Sequence, residues 1–153
     1  MACERQNEMG INFRLILAGD IPPSRVARVV APHAVDARTT SGRPMLRSGL
    51  DDTLGYGIDI LSGQRGYFDA EDEDGSVWVW EPDAYLQVDY VMRKDVIAER
   101  GVPAMLRSVS ELLERQPEDA ALVLNANWLL LTRVDGVLRR HRPSWWQHHG
   151  EGV

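Results

Sequence analysis

The sequence predicts an α+β fold: a single domain in which a mostly antiparallel sheet of about five to six strands packs against two helices, in the order β-α-β-β-β-α-β-β-β. Three observations lead there. After Pro103, the residues Met105, Leu106, Val109, Leu112 and Leu113 recur at spacings of three and four, with Arg107, Ser108, Glu111, Glu114 and Arg115 turned to water. That is one apolar stripe on an α-helix, and Pro103 suits its first turn, where a missing N–H costs nothing. Next, AALVL (120–124), NAN (125–127) and WLLLTRV (128–134) read as strand, turn and strand, and Asp135-Gly136 before VLRR (137–140) signals a tight hairpin, because a primed turn needs positive φ at its central residues. Finally, AYLQVDYVMRKD (84–95) alternates, with Leu86, Val88, Tyr90 and Met92 on the core face and Tyr85, Gln87 and Asp89 on the other.

The remaining elements follow in chain order. INFRLILAG (11–19) is a strand with Ile11, Phe13, Leu15 and Leu17 on one face; Ile16 and Ala18 make the other face partly apolar, so the strand is central. After Asp20-Ile-Pro-Pro, SRVARVVAPHA is a short helix with Val26, Val29 and Val30 inward, limited by Pro32. Residues 35–53 are rich in Thr, Ser, Gly, Arg and Pro and read as a long loop. GYGIDILSG (55–63) alternates as a strand, GQRGYFDAEDEDG connects, and SVWVWEP (76–82) is a strand with Val77 and Val79 on one face and Trp78 and Trp80 on the other. KDVIAERG adds a short helical turn before the main helix. In the tail, one ring of the Trp145-Trp146 pair folds back on the core and the last residues are loose. Residues 1–8 are expected to be a disordered extension, with Met9 directly before the first strand, 9–146 the domain and 147–153 a flexible tail.

With 153 residues, 44% apolar, and five tryptophans, the chain can bury a real core. Its one cysteine, Cys3, excludes an internal disulfide and a thiolate metal cluster. No apolar run approaches the length of a membrane span, and MACERQNEMG is unlike a secretory signal, so a cytoplasmic protein is expected.

Charge is unevenly distributed. The net charge is −6, yet residues 1–50 hold seven arginines against four acids, residues 51–90 one arginine against eleven acids, and the rest nine basic against eight acidic residues. So acidic a middle disfavours nucleic acid, which needs concentrated Lys and Arg, and suits a basic protein partner. Asp69, Glu71, Asp72, Glu73 and Asp74 put five carboxylates in six residues, which repel one another unless something basic neutralises them. Read as a calcium loop with Glu81 at position 12, the run places Gly75, Asp72 and Asp74 suitably but leaves Ala70 at position 1, and the flanks are strands. Asp59, Asp83 and Asp89 lack a convincing histidine partner. His33 can cap a helix end; His141, His148 and His149 lie in or near the tail and do not form a closed zinc set. No nucleophile elbow, GxGxxG or P-loop is present. No catalytic residue, cofactor or metal site is expected.

The C-terminal half does resemble a known family. Lys94 ends a strand, Met105-Leu106 start a helix, Asp119 opens a strand, Asn125 makes a turn, Leu130-Leu131 and Arg133 (after Thr132) form a strand, Gly136 turns it and Trp145 closes the run. Over residues 86–146 this succession resembles small bacterial immunity proteins encoded beside polymorphic toxins exchanged between neighbouring cells. The resemblance implies a non-enzymatic protein that binds and blocks a cognate toxin. Combined with the charge pattern, it points to Asp69, Glu71, Asp72, Glu73, Asp74, Trp78, Trp80, Glu81 and Asp83 as the partner-binding residues, facing a toxin with a basic surface. Two other readings stay open: a small metal-dependent hydrolase using clustered carboxylates, and a homo-oligomeric α+β protein, the homodimer included, that buries its tryptophans in its own copy.

Overall fold

Ile11–Ala18 (β1) occupies the middle of the sheet, as its two apolar faces require: Leu15, Ile16 and Leu17 are all fully buried. The computed structural model describes residues 11–93 and 100–149. The expected helical turn at 94–101 falls mostly outside them, as do the expected extension at 1–8, Lys94 and residues 150–153. The other elements are α1 (Pro23–Val30), β2 (Val35–Arg38), β3 (Pro44–Leu50), β4 (Tyr56–Gln64), β5 (Phe68–Glu71), β6 (Val77–Trp80), β7 (Ala84–Met92), α2 (Val102–Arg115), β8 (Ala120–Leu124), β9 (Trp128–Val134), β10 (Val137–Arg140) and α3 (Pro143–His149). The strands form one sheet in the order β2-β3-β4-β7-β1-β8-β9-β5-β6, with β10 also on β9. All pairings are antiparallel except the short junction of β5 with β9 at Glu71 and Trp128.

The class is α+β, but the described residues form ten strands and three helices, not the five to six strands and two helices expected from the sequence. Three segments account for the difference. The expected loop at 35–53 is instead the β2–β3 hairpin: Leu46 and Leu50 pack half-buried on the main core with the buried Ser48 between them on the same face, an alternation that Ser48 and Gly49 disguise in the sequence, and Met45 is buried on the opposite face. The connection at 63–75 contains β5, whose inward residues are Phe68 and Ala70. The tail forms α3, held by Trp146, which is 3% exposed and donates Nε1–H to the Leu130 carbonyl at 2.9 Å.

The main core lies on the helix side of the sheet. Val26 and Ala27 of α1, the α2 stripe and Trp146 bury there against Phe13, Leu15, Leu17, Tyr56, Ile58, Ile60, Leu86, Val88, Tyr90 and Met92. The apolar stripe of α2 is buried as its spacing predicts, but Ser108, expected to face water, is buried too, because its hydroxyl shares a 2.7 Å hydrogen bond with the buried Tyr90 hydroxyl. Burial pushes the Tyr90 phenol far above its ordinary range. Arg133 closes the far end of α2: its guanidinium donates to the carbonyls of Leu113 (2.7 Å) and Gln116, which the helix C-terminus leaves unpaired, and to that of Glu118 (2.7 Å) in the connection beyond. Burial lowers its pKa, with Glu118 and Asp119 acting against that.

Two turns show the positive φ their sequences suggest. Asp135 and Gly136 have φ 51° and 80°. Between β8 and β9, Asn125 and Ala126 have φ 52° and 57°. Alanine in that conformation costs about 1–2 kcal/mol, part of which glycine removes while losing some entropy of its own. Ala126→Gly, at an exposed position, should therefore stabilise the fold by about 0.5–1 kcal/mol, raising Tm by about 1–4 °C in a thermal melt.

Candidate partner-binding surface

The acidic run lies on the β5–β6 hairpin, whose two faces differ because a strand alternates. Inward, Phe68, Ala70, Trp78 and Trp80 pack on a second, smaller core on the sheet face away from the helices, together with Ile16, Val123, Leu129 and Tyr85. Phe68 meets Tyr85 edge-on at 5.0 Å, and Trp78 lies 5.9 Å from Trp80. Tyr85 lies so close over the Gly63 backbone that a Cβ there would have no room, which is why this strand end carries glycine. Outward, the cross-strand register Asp69–Val79 and Glu71–Val77 makes a surface of two exposed valines, 50% and 72% accessible, between carboxylates. Tyr67, also exposed, extends it; the neighbouring Asp69, and more weakly Glu81, raise the phenol's pKa.

The Val/Trp alternation expected on β6 is therefore present. Trp78 and Trp80 are half-buried against the protein's own second core, and the valines face solvent. Asp69, Glu71, Glu73, Asp74, Glu81 and Asp83 are exposed, and Asp72 is half-buried. The sequence also missed what neutralises the run from within. His141 Nδ1 donates to Asp72 Oδ2 at 2.8 Å, since a carboxylate can only accept. The His141 Nε2 lies 3.0 Å from Thr132 Oγ1. The Arg142 guanidinium lies over Trp128 at 4.4 Å and donates to the Glu71 carbonyl at 2.9 Å, while Ser144 donates to Glu73 Oε1 at 3.2 Å. The Asp72 pKa lies below its ordinary value: burial opposes the shift, but the Glu73 N–H and His141 outweigh it. The Asp74 pKa is lowered first by Ser76, which donates from both its hydroxyl and its N–H. No spacing rule could reveal these partners, which lie about seventy residues away in the chain.

A second polar surface crosses the open face of the sheet. Neighbouring strands set Arg47, Asp59, Asp89 and Arg14 in one cross-strand row. Arg47 bonds Asp59 at 2.8 Å and Arg14 bonds Asp89 at 2.8 Å, with Gln87 donating to Asp89 at 2.9 Å. Asp59 raises the pKa of Arg47, through its hydrogen bond first and its charge second. Among the described residues, no group of three or more His, Cys, Asp and Glu is arranged to hold a metal ion. Thr132, His141 and Asp72 do form a hydroxyl–imidazole–carboxylate chain like that of a hydrolase. Thr132 and His141 are each only 7% exposed, so no substrate carbonyl can reach the hydroxyl.

The sequence matches the SitI3-like family over residues 11–150. The chain belongs to the SitI3-like family of immunity proteins. This SitI3-like chain is accordingly a non-catalytic immunity protein that neutralises a cognate toxin, and the hydrolase reading lacks its metal-ligand set among the described residues. No curated protein and no solved structure matches it significantly. Among the described residues, no helix is long and apolar enough to cross a membrane.

Proposed function

We propose that this immunity protein occludes its toxin by docking the outer face of the β5–β6 hairpin on a basic toxin surface. The observation that carries the reading is the exposed Val77–Val79 pair on an edge strand, framed by Asp69, Glu71 and Glu81. Apolar area at the centre and charge at the rim is the usual anatomy of a protein interface. Asp72, Glu73 and Asp74 form the turn of the hairpin, and Asp83 lies just beyond Glu81. Trp78 and Trp80 support the strand from behind and offer their half-exposed edges. Such a surface gains association rate and specificity from charge, so binding should weaken with salt. The compartment on this reading is the cytoplasm, where cell fractionation should find the protein.

The test is calorimetric titration of the purified cognate toxin. The variant Asp69→Lys/Glu71→Lys changes two exposed side chains and should weaken binding about a hundredfold while flattening its salt dependence, since charged pairs at interfaces couple by about 1.5 kcal/mol or more each. An unchanged affinity would overturn the hairpin as the docking surface.

A further inference from the structure

We propose that the open face of the sheet carries a second recognition site, an arginine-lined seat for one acidic side chain of the toxin. It shares with the hairpin reading only the partner. A concavity of about 350 Å³ lies where the β2–β3 turn overhangs β4, β7 and β1. Four arginines line it, Arg14, Arg38, Arg43 and Arg47, against two aspartates, Asp59 and Asp89, so the site is positive in a chain of net charge −6. The two pairs of charges are not equivalent. Arg14 and Arg47 are taken up by Asp89 and Asp59. Arg38 and Arg43 bond only backbone carbonyls among the described residues, Gly42 O at 2.9 Å and Ser62 O at 2.7 Å, and leave most of their N–H donors free.

The chemistry selects a carboxylate. A guanidinium fork matches a planar carboxylate with two parallel hydrogen bonds. Thr40 lies on the same wall. Met45 and Leu61, both nearly buried, provide an apolar patch for the methylenes of a glutamate. Asp59 and Asp89 in the floor disfavour a doubly charged phosphate or a polyanionic backbone, while a single negative charge meets an excess of positive ones. A basic toxin patch on the hairpin and an acidic toxin residue in this seat would fix the orientation of the complex, because each like-charged juxtaposition is penalised.

Two measurements test this. The first needs no toxin: the arginine Nε–H signals are followed by NMR while a capped glutamate-rich hexapeptide, or separately inorganic phosphate, is added at millimolar concentration. The peptide should shift Arg38 and Arg43, and Arg38→Gln/Arg43→Gln should abolish the response. No shift at either arginine, or a tighter response to phosphate than to the peptide, would overturn the carboxylate assignment. The second compares toxin affinity: Arg38→Glu/Arg43→Glu should weaken it about tenfold and leave the Arg14–Asp89 and Arg47–Asp59 pairs in place. Should that double variant fail to fold, Arg38→Glu alone, whose bond to Gly42 is confined to the turn, should still weaken binding severalfold. Loss here with Asp69→Lys/Glu71→Lys silent would sustain this site and remove the hairpin reading; no loss here with the hairpin variant weakened would do the reverse.

Discussion

Trp146→Ala should lower the unfolding free energy by about 3–5 kcal/mol, the range for truncating a buried tryptophan, and Tm by about 6–20 °C. The ring is 3% exposed in the main core, edge-on to Trp145 at 4.9 Å, with the Arg140 guanidinium over it at 5.0 Å. Its N–H also meets a particular acceptor. The register of β8 and β9 slips between Leu122 and Val123, leaving Leu130 without a β8 partner. The Leu130 carbonyl receives both Trp146 Nε1–H and the His141 N–H, each at 2.9 Å. A seven-residue helix is too short to persist alone in water, so α3 depends on this anchor. Trp146→Phe keeps most of the apolar volume and should cost about 1–3 kcal/mol less than the alanine variant. Urea unfolding distinguishes them, provided the slope m is unchanged. A loss below about 1 kcal/mol in Trp146→Ala would mean that α3 is not part of the cooperative core.

The tryptophan shows where sequence reading reached its limit. Periodicity made α2 legible, because Met105, Leu106, Val109, Leu112 and Leu113 are all buried, and β7 likewise, because Leu86, Val88, Tyr90 and Met92 are all 1% exposed or less. Both elements repeat their pattern often enough to exceed chance. The β2–β3 hairpin does not: it lies at the sheet edge, buries few residues, and faces solvent with arginines. Trp145-Trp146 beside polar neighbours predicts that one ring folds back, but not that a helix forms around it. At the candidate surface, the carboxylates and the β6 alternation were readable from local order. Which way the tryptophans point was not, since it depends on Ile16, Val123 and Leu129 arriving from distant strands. The seat at Arg38 and Arg43 was hidden for the same reason, because only the strand order β2-β3-β4-β7-β1 brings those arginines over Asp59 and Asp89.

His141→Ala should cost about 2–4 kcal/mol, because it empties a 93% buried position and leaves Asp72 and Thr132 without their shared partner. The acid limb of stability identifies the group responsible. The Asp72 pKa is depressed in the folded protein, so its contribution is fully present above the unfolded value of about 3.9 and is lost as pH falls through the folded value. Asp72→Asn should therefore be less stable than the wild type at pH 7 by an amount that shrinks as pH drops below about 4. A penalty constant from pH 7 to pH 3 would show that the carboxylate's charge is not what holds the turn. Because Asp72 lies at the tip of the β5–β6 hairpin and His141 follows β10, breaking the link should act locally as well as globally. Amide exchange in β5 and β6 should accelerate in His141→Ala more than in β7 or β8, where the main core holds the strands. If the hairpin docks the toxin, the same variant should lose affinity even though neither His141 nor Thr132 is exposed enough to touch it, since a surface that must be reordered on binding pays for that order at the interface.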